Sequence, residues 1–153
     1  MSQVLKGWNQ LSGLPFGKHL FSRLVSSRAP YFKSIGATFA DLRPGYAEIT
    51  LRNRKKVHNH IGTVHAIAMC NLAELVGGTV TDATIPATHR WIPKGMTVEY
   101  LNKAETDLRA IAELDPAMQV DGAQELPVEV QVLDAHNVLV FRAVITMWLT
   151  PKS

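Results

Sequence analysis

An α+β fold, with a mainly antiparallel sheet of about six strands wrapped around one long apolar helix and helices at the N-terminus, is what this sequence predicts. Three observations predict it. Several short runs alternate apolar and polar residues, the mark of half-buried strands. One helix-spaced run, Val64 to Val76, has almost no polar face, so it must be enclosed on most sides. The order is two strands, this helix, then four strands, and a sheet that curls around the helix buries it where flat layers would leave one side wet.

Taken in order, Val4, Trp8 and Leu11 stand at helical spacing, as do Phe16, Leu20, Phe21 and Leu24 after a Gly-Leu-Pro break. These read as two short amphipathic helices that pack on the body of the fold. Ile35, Ala37 and Phe39 then alternate, Arg43-Pro44-Gly45 makes a turn, and Ala47, Ile49 and Leu51 alternate again, giving a hairpin. A polar stretch from Asn53 to His60 precedes the apolar helix, which Gly77-Gly78 is expected to end. A loop carrying Pro86 and Pro93 leads to strands at Met96 to Tyr100, Leu108 to Leu114 and Leu126 to Val132. A last run, Val138 to Leu149, is apolar on both faces apart from Arg142 and Thr146 and reads as a central strand. The 153 residues suit one domain over 1–153, with 1–28 as a helical extension.

Composition removes other classes. With 46% hydrophobic and 19% charged residues the chain is in the ordinary globular range, which excludes a disordered or collagen-like polypeptide. No window approaches the roughly 20 apolar residues of a membrane span, and no secretory signal is evident, so a cytoplasmic protein is expected. The single cysteine, Cys70, excludes an internal disulfide. Among apolar neighbours Cys70 reads as a small core residue rather than a nucleophile. Residues 1–60 carry 10 Lys and Arg against Asp41 and Glu48, whereas 61–153 carry 6 against 11 acids. A basic half of this kind favours an anionic partner. No aromatic residue interrupts the basic run Arg52 to His60, so nucleic acid is not expected. The histidines lack metal-ligand spacing, and no metal is expected.

Chemistry concentrates around the apolar helix. Glu74 is its only charged side chain between Val64 and Val76, and desolvation there would raise its pKa. Upstream, Asn59-His60-Ile61-Gly62-Thr63-Val64-His65 places an amide and an imidazole at the helix start, where free N–H groups and the positive end of the helix dipole can receive an oxyanion. Nine residues separate His65 from Glu74, about 13.5 Å and half a turn along a helix, so they cannot meet within one chain. Across a two-fold axis they can. Each site would then draw Asn59, His65 and the Ala66 N–H from one chain and Glu74 from the other.

The stretch His58 to Gly78 resembles the signature of the phenylacetate-degradation-type acyl-CoA thioesterases of the hotdog fold. That signature has an Asn or Gln six residues before a His and an Asp or Glu nine residues after it, a spacing that Asn59, His65 and Glu74 meet. The chain also resembles a less characterised hotdog branch with an N-terminal helical extension. The resemblance implies a thioesterase whose Glu74 is base or nucleophile. Ala66 would be the oxyanion donor, Asn59 would orient water or thioester, and His65 would brace the turn. It further implies an acyl thioester as the small-molecule partner, no cofactor beyond the coenzyme A of the substrate, and a homodimer or homotetramer. His58, His60 and Gly62 are expected to line the substrate, with Arg54, Lys55, Lys56 and Arg90 near the nucleotide phosphates. Two departures stand out: Ala66-Ile67 replaces the family's Gly-Gly, and Gly78 replaces a hydroxyl for which Thr79 or Thr81 could substitute. Two alternatives are a non-catalytic acyl-binding module and a hydroxyacyl dehydratase pairing His60 with Glu74.

Overall fold

The computed structural model describes residues 1–152. Helices α1 (Gln3–Leu11) and α2 (Gly17–Arg28) come first, then a 3-10 turn at Pro30–Ser34. The hairpin β1 (Thr38–Arg43) and β2 (Tyr46–Leu51) leads through a second 3-10 turn, Lys55–Val57, to helix α3 (Ala66–Thr84). Strands β3 (His89–Tyr100), β4 (Leu108–Glu113), β5 (Gln124–Leu133) and β6 (Leu139–Pro151) complete the chain. One six-stranded sheet has the order β1-β2-β4-β5-β6-β3, with every neighbouring pair antiparallel. It curls around α3, which packs against all six strands. This is the hotdog architecture, as the sequence predicts.

Alternation in the sequence becomes alternation in burial. On β5, Leu126, Val128, Val130 and Val132 are buried, while Glu125, Pro127, Glu129 and Gln131 are exposed. The same parity on β2 buries Ala47, Ile49 and Leu51. Beneath them Leu72, Ala73, Val76 and Val80 of α3 are fully enclosed. β6 lies between β5 and β3, but it is not buried on both faces: Arg142 and Val144 face out while Ala143 and Ile145 face in.

Gly77-Gly78 does not end the helix, which continues to Thr84. The pair lies where the sheet approaches α3 most closely. A β-carbon on Gly77 would meet Ile145 Cδ1 at 2.9 Å, and one on Gly78 would meet the Trp91 ring at 2.6 Å. Thr79 and Thr81 are buried, and their hydroxyls donate to the carbonyls of Leu75 (2.8 Å) and Gly77 (2.7 Å). They are therefore spent on the helix backbone and do not replace the missing hydroxyl of the family signature. Pro93 lies inside β3 rather than in a loop, and the β3–β6 register shifts between Pro93 and Gly95. A proline lacks the N–H a central strand needs, and it fits here because β3 is an edge strand.

The stripe Phe16, Leu20 and Leu24 faces solvent rather than the body of the fold, and α2 turns Phe21, Ser22 and Ser26 inward. The reason is the free edge of β1. Ser22 Oγ accepts the Phe39 N–H at 2.9 Å and donates to the Lys18 carbonyl, while Lys18 Nζ donates to the Ala40 carbonyl at 2.6 Å. Ala40 stands at the irregularity between Phe39 and Asp41, where the β1–β2 register slips. Polar residues on this face of α2 thus satisfy backbone groups that would otherwise be orphaned. Phe21 packs edge-on against Trp8 and Phe39, with ring centroids at 5.2 and 5.0 Å.

Gly78→Ala forces a methyl into the Trp91 ring and should cost about 1–3 kcal/mol of stability by overpacking. The check is urea unfolding followed by tryptophan fluorescence; an unchanged midpoint would remove the close approach as the reason for the glycine.

Candidate active site

The loop between the second 3-10 turn and α3 is closed on itself by Asn59. Its Oδ1 accepts the N–H groups of Ile61 and Thr63, each at 3.1 Å, and its Nδ2 donates to Thr63 Oγ1 at 2.8 Å. Gly62 takes φ +83°, a left-handed turn that favours glycine, and His60 and Ile61 are exposed at the tip. His58 hydrogen-bonds the Asn53 side chain and bridges to Val64. The Val64 and His65 N–H groups donate to the carbonyls of Ala104 (2.9 Å) and Val57 (2.8 Å), which fixes the entry into α3.

His65 is the N-cap of α3. Its Nδ1 accepts the Ile67 N–H at 3.0 Å, so the proton of the neutral ring sits on Nε2. The cap satisfies one of the donors that every helix start leaves open. Among the described residues the N–H groups of Ala66 and Ala68 have no acceptor. Two free donors at the positive end of a 19-residue helix form the kind of site that stabilises an oxyanion.

A cavity of about 380 Å³ opens beside this first turn, lined by Tyr31, Ser34, Lys56, His58, His65 and Asn71 among others. Asn71 is 8% exposed. Its Nδ2 donates to Ser34 Oγ at 3.1 Å, and its Oδ1 is buried with no partner. Asn71, Ser34 and Tyr31 were not anticipated from the sequence. The available signal was Asn71 itself, the one amide side chain in α3. Tyr31 and Ser34 had no signal, because the N-terminal segment reaches the cavity only through the tertiary fold.

Glu74 lies elsewhere. It is exposed and shares a stripe of α3 with Ile67, 54% exposed, and the half-covered Cys70. The hydrophobic enclosure expected around its carboxylate is not present in one chain. The stripe continues onto β3: Cys70 Sγ lies 3.7 Å from the Tyr100 hydroxyl, and Met96 and Tyr100 are 39% and 54% exposed. Hydrogen bonding to the Cys70 thiol, helped by burial, pushes the Tyr100 pKa up. The expected phosphate-binding residues also separate. Lys56 borders the cavity of His65, and Lys55 is exposed in the 3-10 turn beside it. Arg54 lines a neighbouring cavity, and Arg90 hydrogen-bonds Thr150 in a third, beside Asp82 and Trp91. Asp82 belongs to the last turns of α3, so Arg90 sits at the opposite end of the helix from His65.

A family described as Domain of unknown function (DUF4442) matches residues 17–149. The chain belongs to this family. No curated protein matches it, but solved structures do. The crystal structure of genomics APC5556 is 50% identical, with a TM-score of 0.85 over 98% of this chain and 97% of that one. PA5026 from Pseudomonas aeruginosa, described as a protein of unknown function and probable thioesterase, is 26% identical. Its TM-score is 0.80, with 91% and 97% of the two chains covered. The thioesterase HI1161 from Haemophilus influenzae, at 14% identity and a TM-score of 0.73 over 90% and 93%, shares the fold. These likenesses agree with the observed architecture: the DUF4442 chain has the hotdog fold. Among the described residues no group of three metal-ligating side chains occurs, and no helix is long and apolar enough to cross a membrane.

His65→Ala removes the cap and should destabilise the fold by roughly 0.5–2 kcal/mol, whereas His65→Asn, which can cap, should recover most of it. Chemical denaturation of the two variants side by side tests this. Equal losses would mean that His65 stabilises by packing alone.

Proposed function

We propose that the protein hydrolyses an acyl-CoA, or a closely related acyl thioester, to the free acid and the thiol, as a homodimer with one site at each end of the shared interface. The observation that carries this reading is the pair of unpartnered N–H groups, Ala66 and Ala68, at the start of α3 beside a cavity. A thioester carbonyl oxygen is a fitting acceptor, because its charge grows as the tetrahedral intermediate forms.

The reaction also needs a base, and the chain's own Glu74 is too far from His65. Two features support supply from a second copy. Among the described residues no element covers the β3 edge, and the stripe Ile67, Cys70 and Glu74 with Met96 and Tyr100 is a largely apolar surface that carries one carboxylate. Pairing two such surfaces about a two-fold axis hides the open edge. It also brings Glu74 of the partner subunit towards the α3 start. Glu74 then takes a proton from water as the water oxygen bonds to the carbonyl carbon; the C–S bond breaks and the thiolate leaves. Asn59, with its amide committed to Ile61 and Thr63, acts by holding the turn that presents Ala66. Ala66 and Ile67 keep the N–H groups of the family's glycines while narrowing the approach. The thioesterase descriptions of PA5026 and HI1161 are consistent with this chemistry.

Against a panel of acyl-CoA substrates with the released thiol measured, Glu74→Gln should lower kcat by about 10²–10⁴ without loss of fold. Near-normal turnover would overturn the role of Glu74, and retention of acyl-CoA by a wild-type protein that turns over none of the panel would indicate a binding module instead. Met96→Asp with Tyr100→Glu should give a monomer in sedimentation and abolish turnover in parallel. A fully active monomer would eliminate the two-chain site.

A further inference from the structure

The largest of the described cavities, about 510 Å³, is not the one beside His65. It opens where α2 and the segment leading into β1 meet β2, and it is lined by Arg23 of α2, Lys33 of the 3-10 turn, and Arg52 and Arg54 beyond β2. No carboxylate is among its described lining residues, and the Ser27 and Thr50 hydroxyls that border it donate to the carbonyls of Arg23 and Thr38. Among the described residues all four ion pairs lie elsewhere, at Arg43, Lys94, Arg109 and Arg142. Three separate parts of the chain therefore bring four positive charges, none of them in an ion pair, to one concavity.

Arg54 is held in place. Its Nη2 donates to the carbonyls of Ile35 (3.1 Å) and Gly36 (3.4 Å). Gly36 has φ +61°, and a β-carbon there would collide with the guanidinium, so the glycine serves both the turn and the arginine. A solvated basic face needs no such fixture, since its side chains extend freely into water. A fixed guanidinium matches phosphate oxygens, which accept its remaining N–H groups. The cavity volume is within the range of small-molecule sites. No phenylalanine, tyrosine or tryptophan lines it, so recognition rests on charge rather than on stacking a base.

We infer that this cavity binds a small molecule carrying two or more phosphate groups. The same chemistry is offered by the nucleotide end of coenzyme A and by a free phosphorylated metabolite. The segment from Lys33 to Gly36 borders both this cavity and that of His65, and Lys56 Nζ donates to the Lys33 carbonyl at 3.3 Å.

The test uses inorganic pyrophosphate and adenosine 3′,5′-bisphosphate, titrated calorimetrically into the full-length protein at fixed ionic strength. Arg23 and Arg52 make no described side-chain hydrogen bond, so Arg23→Ala/Arg52→Ala should fold normally, as thermal unfolding would verify. The double variant should bind both probes at least about tenfold more weakly than wild type. Absence of saturable binding by wild type, or equal binding by the double variant, overturns the site. Kinetics then separate the sources while the site stands. A KM raised for acyl-CoA but unchanged for the acyl-N-acetylcysteamine analogue identifies the coenzyme A nucleotide. Lost probe binding with both KM values unchanged identifies a separate phosphorylated ligand. The binding measurement needs no turnover, so it reads this site even if the thioesterase proposal fails.

Discussion

Enclosure of α3 by a single sheet is the constraint from which the rest of the structure follows. An apolar helix of 19 residues cannot leave any long face in water, and the six strands cover its C-terminal two-thirds so tightly that two successive glycines are required. A curled sheet still has two edges, and this molecule treats them differently. The β1 edge is finished by α2, whose Ser22 and Lys18 meet the free backbone groups. The β3 edge is left open beside the uncovered start of α3. One side of the fold is thus closed by its own chain, and the other is left open.

Strand alternation and helix spacing are local properties, and so the element order and the enclosed helix were legible in the sequence. The departures share a cause. Gly77-Gly78 reads as a helix end by residue type, yet its role is set by Ile145 and Trp91, which arrive from distant strands. Ser22 carries no local signal, because the strand edge it serves lies 17 residues on. Pro93 reads as a loop because the sequence does not say which strand lies at the edge. At the candidate site the cap of His65 and the braced turn of Asn59 are short-range and were close to readable. The contributions of Asn71 and Ser34 depend on a contact spanning 37 residues.

Charge follows the same division. The cations of the first 60 residues cluster where α2 and the β2 exit form walls, and the acids of the later strands lie largely exposed, some in ion pairs such as Glu99 with Arg142. The positive end of the α3 dipole adds to the basic side. Anionic ligands are thereby drawn towards the half of the molecule that holds the free N–H groups, and away from the sheet surface.

The exposure of Glu74 in one chain bears on how its reactivity arises. A carboxylate in water has little tendency to act as a strong base, because solvent stabilises its charge; withdrawal from water raises its proton affinity. Here the apolar neighbours that could do this, Ile67, Met96 and Tyr100, are on the same uncovered surface and are themselves only partly covered. Joining two such surfaces desolvates the carboxylate and its apolar surroundings together. On the two-chain proposal, assembly would both bring Glu74 near the α3 start and withdraw it from water together with these apolar neighbours. On that proposal a protomer alone keeps the free N–H groups of Ala66 and Ala68 but lacks the carboxylate that acts with them, so turnover would depend on the same contact that covers the β3 edge.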